Sequence, residues 1–233
     1  QQASLVVGKR FMVQAAAGGV GQSAIEYAQW LNAKVIGSAG RPVKHGALRG
    51  LGIDMLVSSR DGAAFTVGAM RQLAGSRVHM VLNSLSNDFT TMSFAMLRER
   101  GCFQEIGKRG VWSSQRQAAS VPSVQFDMVA VDATMAIDPA WMGRRLRQLA
   151  SRAEAGVVQS LPTQSFDMER QAEAAFRVLQ SGRNTGKVVI RIPYRSRSFV
   201  GSPGTHVVSG GTGGLGLLTA RWLSQVGVAS LAL

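Results

Sequence analysis

The residues best placed to do chemistry sit in one short stretch, Phe11 to Gly21, reading FMVQAAAGGVG. An apolar run, Phe11-Met12-Val13, gives way to Ala15-Ala16-Ala17 and then to Gly18-Gly19-Val20-Gly21. Beyond it Ala24, Ile25, Ala28 and Leu31 recur at helical spacing. Strand, glycine turn and helix in that order are the context in which A-x-G-x-x-G reads as a dinucleotide fingerprint. The small residues around Ala17, Gly18, Gly19, Val20 and Gly21 let backbone approach a pyrophosphate, and unpaired first amides of the helix suit an anion. With Ala16 in the place of the usual first glycine, the bare motif is equally a tight strand-to-helix turn. The flanking strand and helix favour the cofactor.

The second stretch to weigh is Gly37-Ser38-Ala39-Gly40-Arg41-Pro42-Val43-Lys44. About 20 residues past the fingerprint, an NAD-preferring fold places an acid that holds the ribose 2′-hydroxyl. Here no carboxylate is present, whereas Arg41 and Lys44 are, with Arg60 at the end of the third strand able to join them and Ser38 within the same turn. Each alone is ordinarily a surface cation. Together they suit a 2′-phosphate and point to NADPH.

These residues need a scaffold, and the periodicity supplies one. Strands are predicted at Phe11 to Gln14, Lys34 to Ser38, Met55 to Ser58, Met80 to Asn83 and Gly101 to Ile106. Helices fall between them, from about Gly21 to Asn32, Val43 to Leu51, Ala63 to Leu73 and Thr91 to Leu97. That alternation predicts an α/β fold with a parallel, doubly wound Rossmann sheet, its chemistry at the carboxyl ends of the strands. An extended stretch at 124–131 and helices at about 139–155 and 168–179 follow, then a last strand, Lys187 to Ile192. Pro193 to Gly204 reads as a linker. After it a second glycine turn, Ser209 to Gly216, precedes a helix carrying Leu217, Leu218, Ala220 and Trp222. Gly210, Gly214 and Gly216 are its candidate nucleotide contacts. The two turns differ in spacing, so they predict two nucleotide-binding domains and not a tandem repeat.

Composition bounds the rest. A chain of 233 residues, 45% hydrophobic and 17% charged, has room for a real core. No apolar run reaches the ~20 residues of a membrane span, and no signal peptide is visible, so the expectation is a cytoplasmic protein without a membrane partner. One cysteine, Cys102, cannot form an internal disulfide or a multi-cysteine zinc site, and His45, His79 and His206 have no ligand spacing. No metal is therefore expected, and Cys102 reads as core packing. The net charge is +13. Its arginines are scattered and not interleaved with aromatics, which favours a solvated basic face over a nucleic-acid groove. The densest group, Arg144, Arg145, Arg147 and Arg152, falls on one predicted helix. The sequence starts at Gln1 and stops at Leu233 inside a predicted strand, which reads as a piece of a longer chain.

AAAGGVGQSAIEYAQ, RPVKHGALRGLGID, SSRD, VLNSLS, FQEIGKRG and NTGKVVI, in that order, resemble the enoyl reductase domain of modular polyketide synthases and animal-type fatty acid synthases, a zinc-free branch of the medium-chain dehydrogenases/reductases. The resemblance covers about residues 5 to 192. VVSGGTGGLGLLTARWL looks like the opening of the ketoreductase (short-chain type) that follows in such synthases, with Ser209 in place of the usual Thr. It implies residues 1–156 as the NADPH-binding Rossmann domain, 157–192 as the C-terminal return of the substrate domain, 193–204 as linker and 205–233 as the start of a ketoreductase. It further implies hydride transfer from NADPH to the β-carbon of an α,β-unsaturated acyl thioester on an acyl carrier protein, with neighbouring synthase domains as partners.

By the same resemblance, the lysine of the E-x-G-K motif maps to Lys108 and a partner aspartate about two dozen positions later to Asp132, with Asp127 the alternative. Such a lysine stabilises enolate charge or delivers a proton, and the carboxylate holds it in place. Without the resemblance, Lys108 beside Arg109 is an ordinary strand-end cation. Asn83, Ser84, Leu85 and Gly107 are implied along the cofactor, as are Thr185, Gly186 and Lys187. Their plainer readings are a helix-capping turn and a tight turn into a strand. The substrate-binding half that precedes the Rossmann domain in the family is not in this sequence, nor are the ketoreductase Ser, Tyr and Lys. The expectation is a piece that binds cofactor more readily than it turns over. Two alternatives stay open, a free-standing quinone-oxidoreductase-like enzyme and a non-catalytic basic scaffold or nucleic-acid binder.

Overall fold

In the computed structural model, residues 7–192 and 204–233 are described; nearly all of the predicted linker falls outside them. Strands β1 (Arg10–Val13), β2 (Lys34–Ala39), β3 (Met55–Ser58), β4 (Val78–Asn83), β5 (Leu97–Glu105) and β6 (Gln125–Met128) form one sheet in the order β3-β2-β1-β4-β5-β6. Every pairing is parallel. The strand order reverses between β1 and β4, which opens the crevice where such sheets take their ligands.

The alternation of side chains along each strand builds two cores. Phe11, Val13, Val35, Met80 and Cys102 face one side, against Ile25 and Ala28 of α1 (Gly19–Trp30) and Leu48 of α2 (Pro42–Gly50). Met12, Ile36, Val81 and Phe103 face the other, against Phe65 and Ala69 of α3 (Gly62–Leu73) and Phe94 of α4 (Asp88–Met96). Phe94 stacks on Phe103 at 4.1 Å and leans on Trp112 at 5.1 Å. A sheet buried on both faces explains strands that read as continuous apolar runs.

Helix starts follow their caps. Asp61 accepts from the Ala64 amide at the start of α3, and Ser113 from that of Arg116 at the start of α5 (Ser114–Ser120). Asp138 does the same for Trp141 at α7 (Pro139–Glu154), where Pro139 opens the helix. The stretch expected to be extended over 124–131 ends early, at Met128, and a short helix α6 (Val131–Ile137) follows.

The chain divides into two compact units, Gln1–Ser165 with Ala175–Val189, and Phe166–Ala174 with Ile190–Leu233. Residues 157–165 and 175–189 fall in the first and 166–174 and 190–192 in the second. Strands β7 (Thr163–Asp167) and β8 (Lys187–Arg191), with α8 (Met168–Ser181) between them, form a small sheet of their own. In the second unit β9 (His206–Val207) and β10 (Leu231–Ala232) pair in parallel across α9 (Gly214–Gln225).

Candidate nucleotide and proton-transfer site

The glycine turn is built by three side chains that the apolar pattern hides. Ala15 has φ +48°, a left-handed conformation that costs an L-residue about 1–2 kcal/mol. It is held there because its amide donates to Ser38 Oγ at 3.1 Å and its carbonyl accepts from the Gly18 amide at 3.0 Å. Ser38 Oγ in turn donates to Gln14 Oε1, and Gln14 Nε2 donates to Ser93 Oγ at 2.7 Å. Gln22, on α1, reaches back to the Ala17 carbonyl at 2.9 Å. Gln14 and Gln22 were not singled out by sequence; a glutamine closing an apolar strand was the available sign. Ser38, expected to touch the cofactor, has no exposed surface. It shapes the turn from below.

Above this support the backbone is bare. Gly18 stands at the N-cap of α1 with no side chain capping the helix, unlike α3, α5 and α7. A Cβ on Gly21 would lie 2.6 Å from the Ala16 carbonyl oxygen, so only glycine allows the helix to start this close to the strand. The 185–187 segment lies against the same turn. Gly186 bridges Gly18 in parallel and its amide donates to the Ala17 carbonyl at 2.9 Å. With φ +74° and a virtual Cβ 2.1 Å from the Pro162 carbonyl oxygen, position 186 also admits only glycine. Lys187 reaches the space above Gly19. Thr185 is half-buried beside them.

At the ends of β2 and β3 the cations converge. Burial pushes the Lys44 ammonium down from its ordinary value, and the nearby charges of Arg41 and Arg60 push it further the same way. Among the described residues no carboxylate pairs with any of the three. Arg60 lies across Gly40, where a Cβ would come within 2.8 Å of its Nε. Arg41 starts α2, gives one hydrogen bond to the Ser181 carbonyl at 3.2 Å, and keeps a buried Nε without a partner. Arg41, His45, Arg49 and Ser58 line a pocket of about 330 Å³ there. Such unbalanced positive charge suits an anion.

Across the sheet, β4 and β5 end in two loops that share one buried carboxylate. Glu105 Oε2 accepts from Asn83 Nδ2 at 2.7 Å and Oε1 from the Gly107 amide at 2.6 Å. Asn83, itself fully buried, also donates to the Leu85 carbonyl at 2.7 Å. Burial pushes the Glu105 carboxyl up, against the opposing pull of those hydrogen bonds. Ser84 remains exposed and Leu85 and Gly107 half-buried at the rim. In the sequence Glu105 stands out only as the first letter of the E-x-G-K motif; a carboxylate at the end of an apolar strand is the signal that marks it.

One residue past Gly107, Lys108 Nζ lies 2.6 Å from Asp132 Oδ2 in the first turn of α6, and both side chains are largely in solvent. The lysine's hydrogen bond holds the Asp132 carboxyl below its usual range. Asp127 lies elsewhere, accepting from Gln104 and Gln125. Of the two aspartates, it is Asp132 that pairs with Lys108.

A model of the family described as zinc-binding dehydrogenase matches residues 51–190. The chain belongs to that family. Zinc, which the family's description implies, does not suit these residues: among those described, no three of His, Cys, Asp and Glu gather as a metal site. Cys102 is buried in β5, its thiol beside Gln104 and Asp127. This dehydrogenase-family chain is 32% identical over 97% of its length to a phenolphthiocerol/phthiocerol polyketide synthase of Mycobacterium tuberculosis, spanning 11% of that protein. Among solved structures it resembles the CurK enoyl reductase (TM-score 0.75, 34% identity, covering 81% of this chain and 56% of that one). It also resembles the nucleotide-binding subdomain of the enoylreductase domain of PpsC from M. tuberculosis (0.60, 28%, 66% and 87%). A quinone oxidoreductase of Escherichia coli, solved with NADPH, is alike in fold (0.68, 22%, 81% and 58%).

The second glycine turn is as tight as the first. A Cβ on Gly216 would stand 2.2 Å from the Gly210 carbonyl oxygen, and α9 begins at Gly214 without a side-chain cap.

Proposed function

We propose that this chain is the nucleotide-binding part of a polyketide-synthase enoyl reductase that takes NADPH and acts on an α,β-unsaturated acyl thioester carried by an acyl carrier protein. The observation that carries the reading is Lys108, held by Asp132 at the exit of β5 on the carboxyl edge of an all-parallel sheet. The likeness to solved enoyl reductases supports the same assignment.

The residues suit the cofactor at both ends. The amides of Gly18 to Gly21 would receive the pyrophosphate, and Arg41, Lys44 and Arg60 the 2′-phosphate. The other half of the dinucleotide would then run over the ends of β4 and β5, past Ser84, Leu85 and Gly107, with Thr185 to Lys187 walling the turn. When bound, the cofactor supplies a hydride for the β-carbon. Lys108 holds a proton near the α-carbon or the enolate oxygen, Asp132 holds that ammonium in place, and the exposure of Lys108 lets solvent replace the proton it gives up. The turn at Gly210 to Gly216 is read, in the same proposal, as the opening of a ketoreductase.

The test is a fluorescence titration with NADPH and NADH, beside a salt-titrated DNA-binding assay. Saturable binding that prefers NADPH supports the reading. Steeply salt-dependent DNA affinity with no cofactor saturation would favour a basic scaffold.

A further inference from the structure

We propose that Glu105 is a positioning residue, whose buried carboxylate locks the loop after β4 to the loop after β5 and so sets where Lys108 stands relative to the nicotinamide half of the cofactor. The inference rests on the nicotinamide reading above.

Three observations carry it. The carboxylate is 2% exposed and each of its oxygens takes a hydrogen bond from a different loop, Asn83 Nδ2 on one side and the Gly107 amide on the other. The contacts continue outward: Asn83 holds both the amide and the carbonyl of Leu85, the Asn83 carbonyl accepts from the Ile106 amide, and Thr90 Oγ1 reaches the Leu85 carbonyl. Finally, Gly107 is packed so closely on the carboxylate that a Cβ there would lie 2.7 Å from Glu105 Oε1 and 3.8 Å from the backbone of Ser84. Lys108 follows directly. A change at Glu105 therefore moves the Ser84 rim and the Lys108 backbone together, while the glycine turn has its own supports in Gln14, Ser38 and Gln22 and the Arg41 pocket in the Arg41–Ser181 and His45–Ala39 contacts.

A carboxylate is needed because both groups facing it are donors. Glutamine at this position has nearly the same shape, but presents an amide N–H₂ to the Asn83 amide or to Gly107.

The experiment compares two probes on the 233-residue chain and its Glu105→Gln variant. NADPH spans both halves of the site; adenosine 2′,5′-bisphosphate carries the adenosine with its 2′-phosphate and a 5′-phosphate and lacks the nicotinamide half. The expected result is a loss of roughly tenfold or more in NADPH affinity, with the bisphosphate affinity unchanged within about twofold. The exchanged pair Asn83→Asp/Glu105→Gln restores a donor facing an acceptor and should recover part of the NADPH affinity, only part because Leu85 loses a donor. Equal loss of both probes, or no loss of either, would overturn the proposal. A measurement on the unaltered chain covers a variant that does not fold. The Gly107 amide should be protected from hydrogen exchange without any cofactor, and exchange at the unstructured rate would overturn the inference. If the unaltered chain binds neither probe, the nicotinamide reading itself falls and takes this inference with it, an outcome distinct from the loss of NADPH binding in the variant alone.

Discussion

Lys108 Nζ and Asp132 Oδ2 meet at 2.6 Å although 72% and 68% of their side-chain surfaces are exposed. An exposed pair of this kind contributes little to stability. The carboxylate of Asp132 is depressed by its hydrogen bond from Lys108. The pair is thus fully formed above the ordinary aspartate value and is lost as pH falls through the lowered one. Replacing Lys108 by Met should raise the Asp132 titration midpoint, read by carboxyl-carbon NMR. It should leave the thermal midpoint and NADPH affinity nearly unchanged, while any reduction of a crotonyl thioester falls on the order of 10²-fold or more.

The cation cluster makes a separate prediction. Arg41→Glu places a carboxylate where the sequence has none, beside Lys44 and Arg60. NADPH affinity should fall about 10–100-fold, and NADH affinity should hold or improve, measured by nicotinamide fluorescence at fixed ionic strength. An equal effect on both nucleotides would separate the cluster from the 2′-phosphate.

The close approach at the glycine turn is testable by adding one methyl group. Gly21→Ala should destabilise the chain by about 1–3 kcal/mol in urea melts and weaken nucleotide binding, since its Cβ has no room beside the Ala16 carbonyl. Gly186→Ala should do the same from the other side by dislodging the 185–187 segment from Ala17.

Much of this was legible in the sequence because the signals were local. The β1-turn-α1 start, β3 from Met55 to Ser58 and the Pro139 start of α7 coincide with the elements observed, to within a residue or two at β1 and α1. Burial on both faces left apolar runs that read directly as parallel strands. What was not legible depended on partners far apart in the chain. Gln14 bonds Ser93, Ser38 bonds Gln14, and Glu105 bonds Asn83, and no periodicity marks such polar contacts. The basic helix was legible as charge but not as packing. Arg152 lies over Tyr27 and Trp30 at 5.0 and 5.1 Å and fastens α7 to α1, Arg144 pairs with Asp138, and Arg145 stands over Trp141. Short α5, α6 and β7 went unread because each carries too few residues to show a period.

Glu105 gives a pH prediction of opposite sign to Asp132. Its folded value is raised, chiefly by burial, above the ordinary 4.5. The folded chain therefore holds the proton longer than the unfolded one, and stability falls as pH rises from 4.5 through the raised value. Urea melts of wild type and Glu105→Gln across that window should show the decline in the wild type and its absence in the variant.

Whether a 2′-phosphorylated nicotinamide dinucleotide lies across the first glycine turn can be read by titrating the chain with NADPH while following backbone amide NMR shifts. Saturable shifts are expected at Gly18 to Gly21, Arg41 and Gly107, reduced in Gly21→Ala. Saturation with those amides unmoved, or no saturation at all, would contradict it.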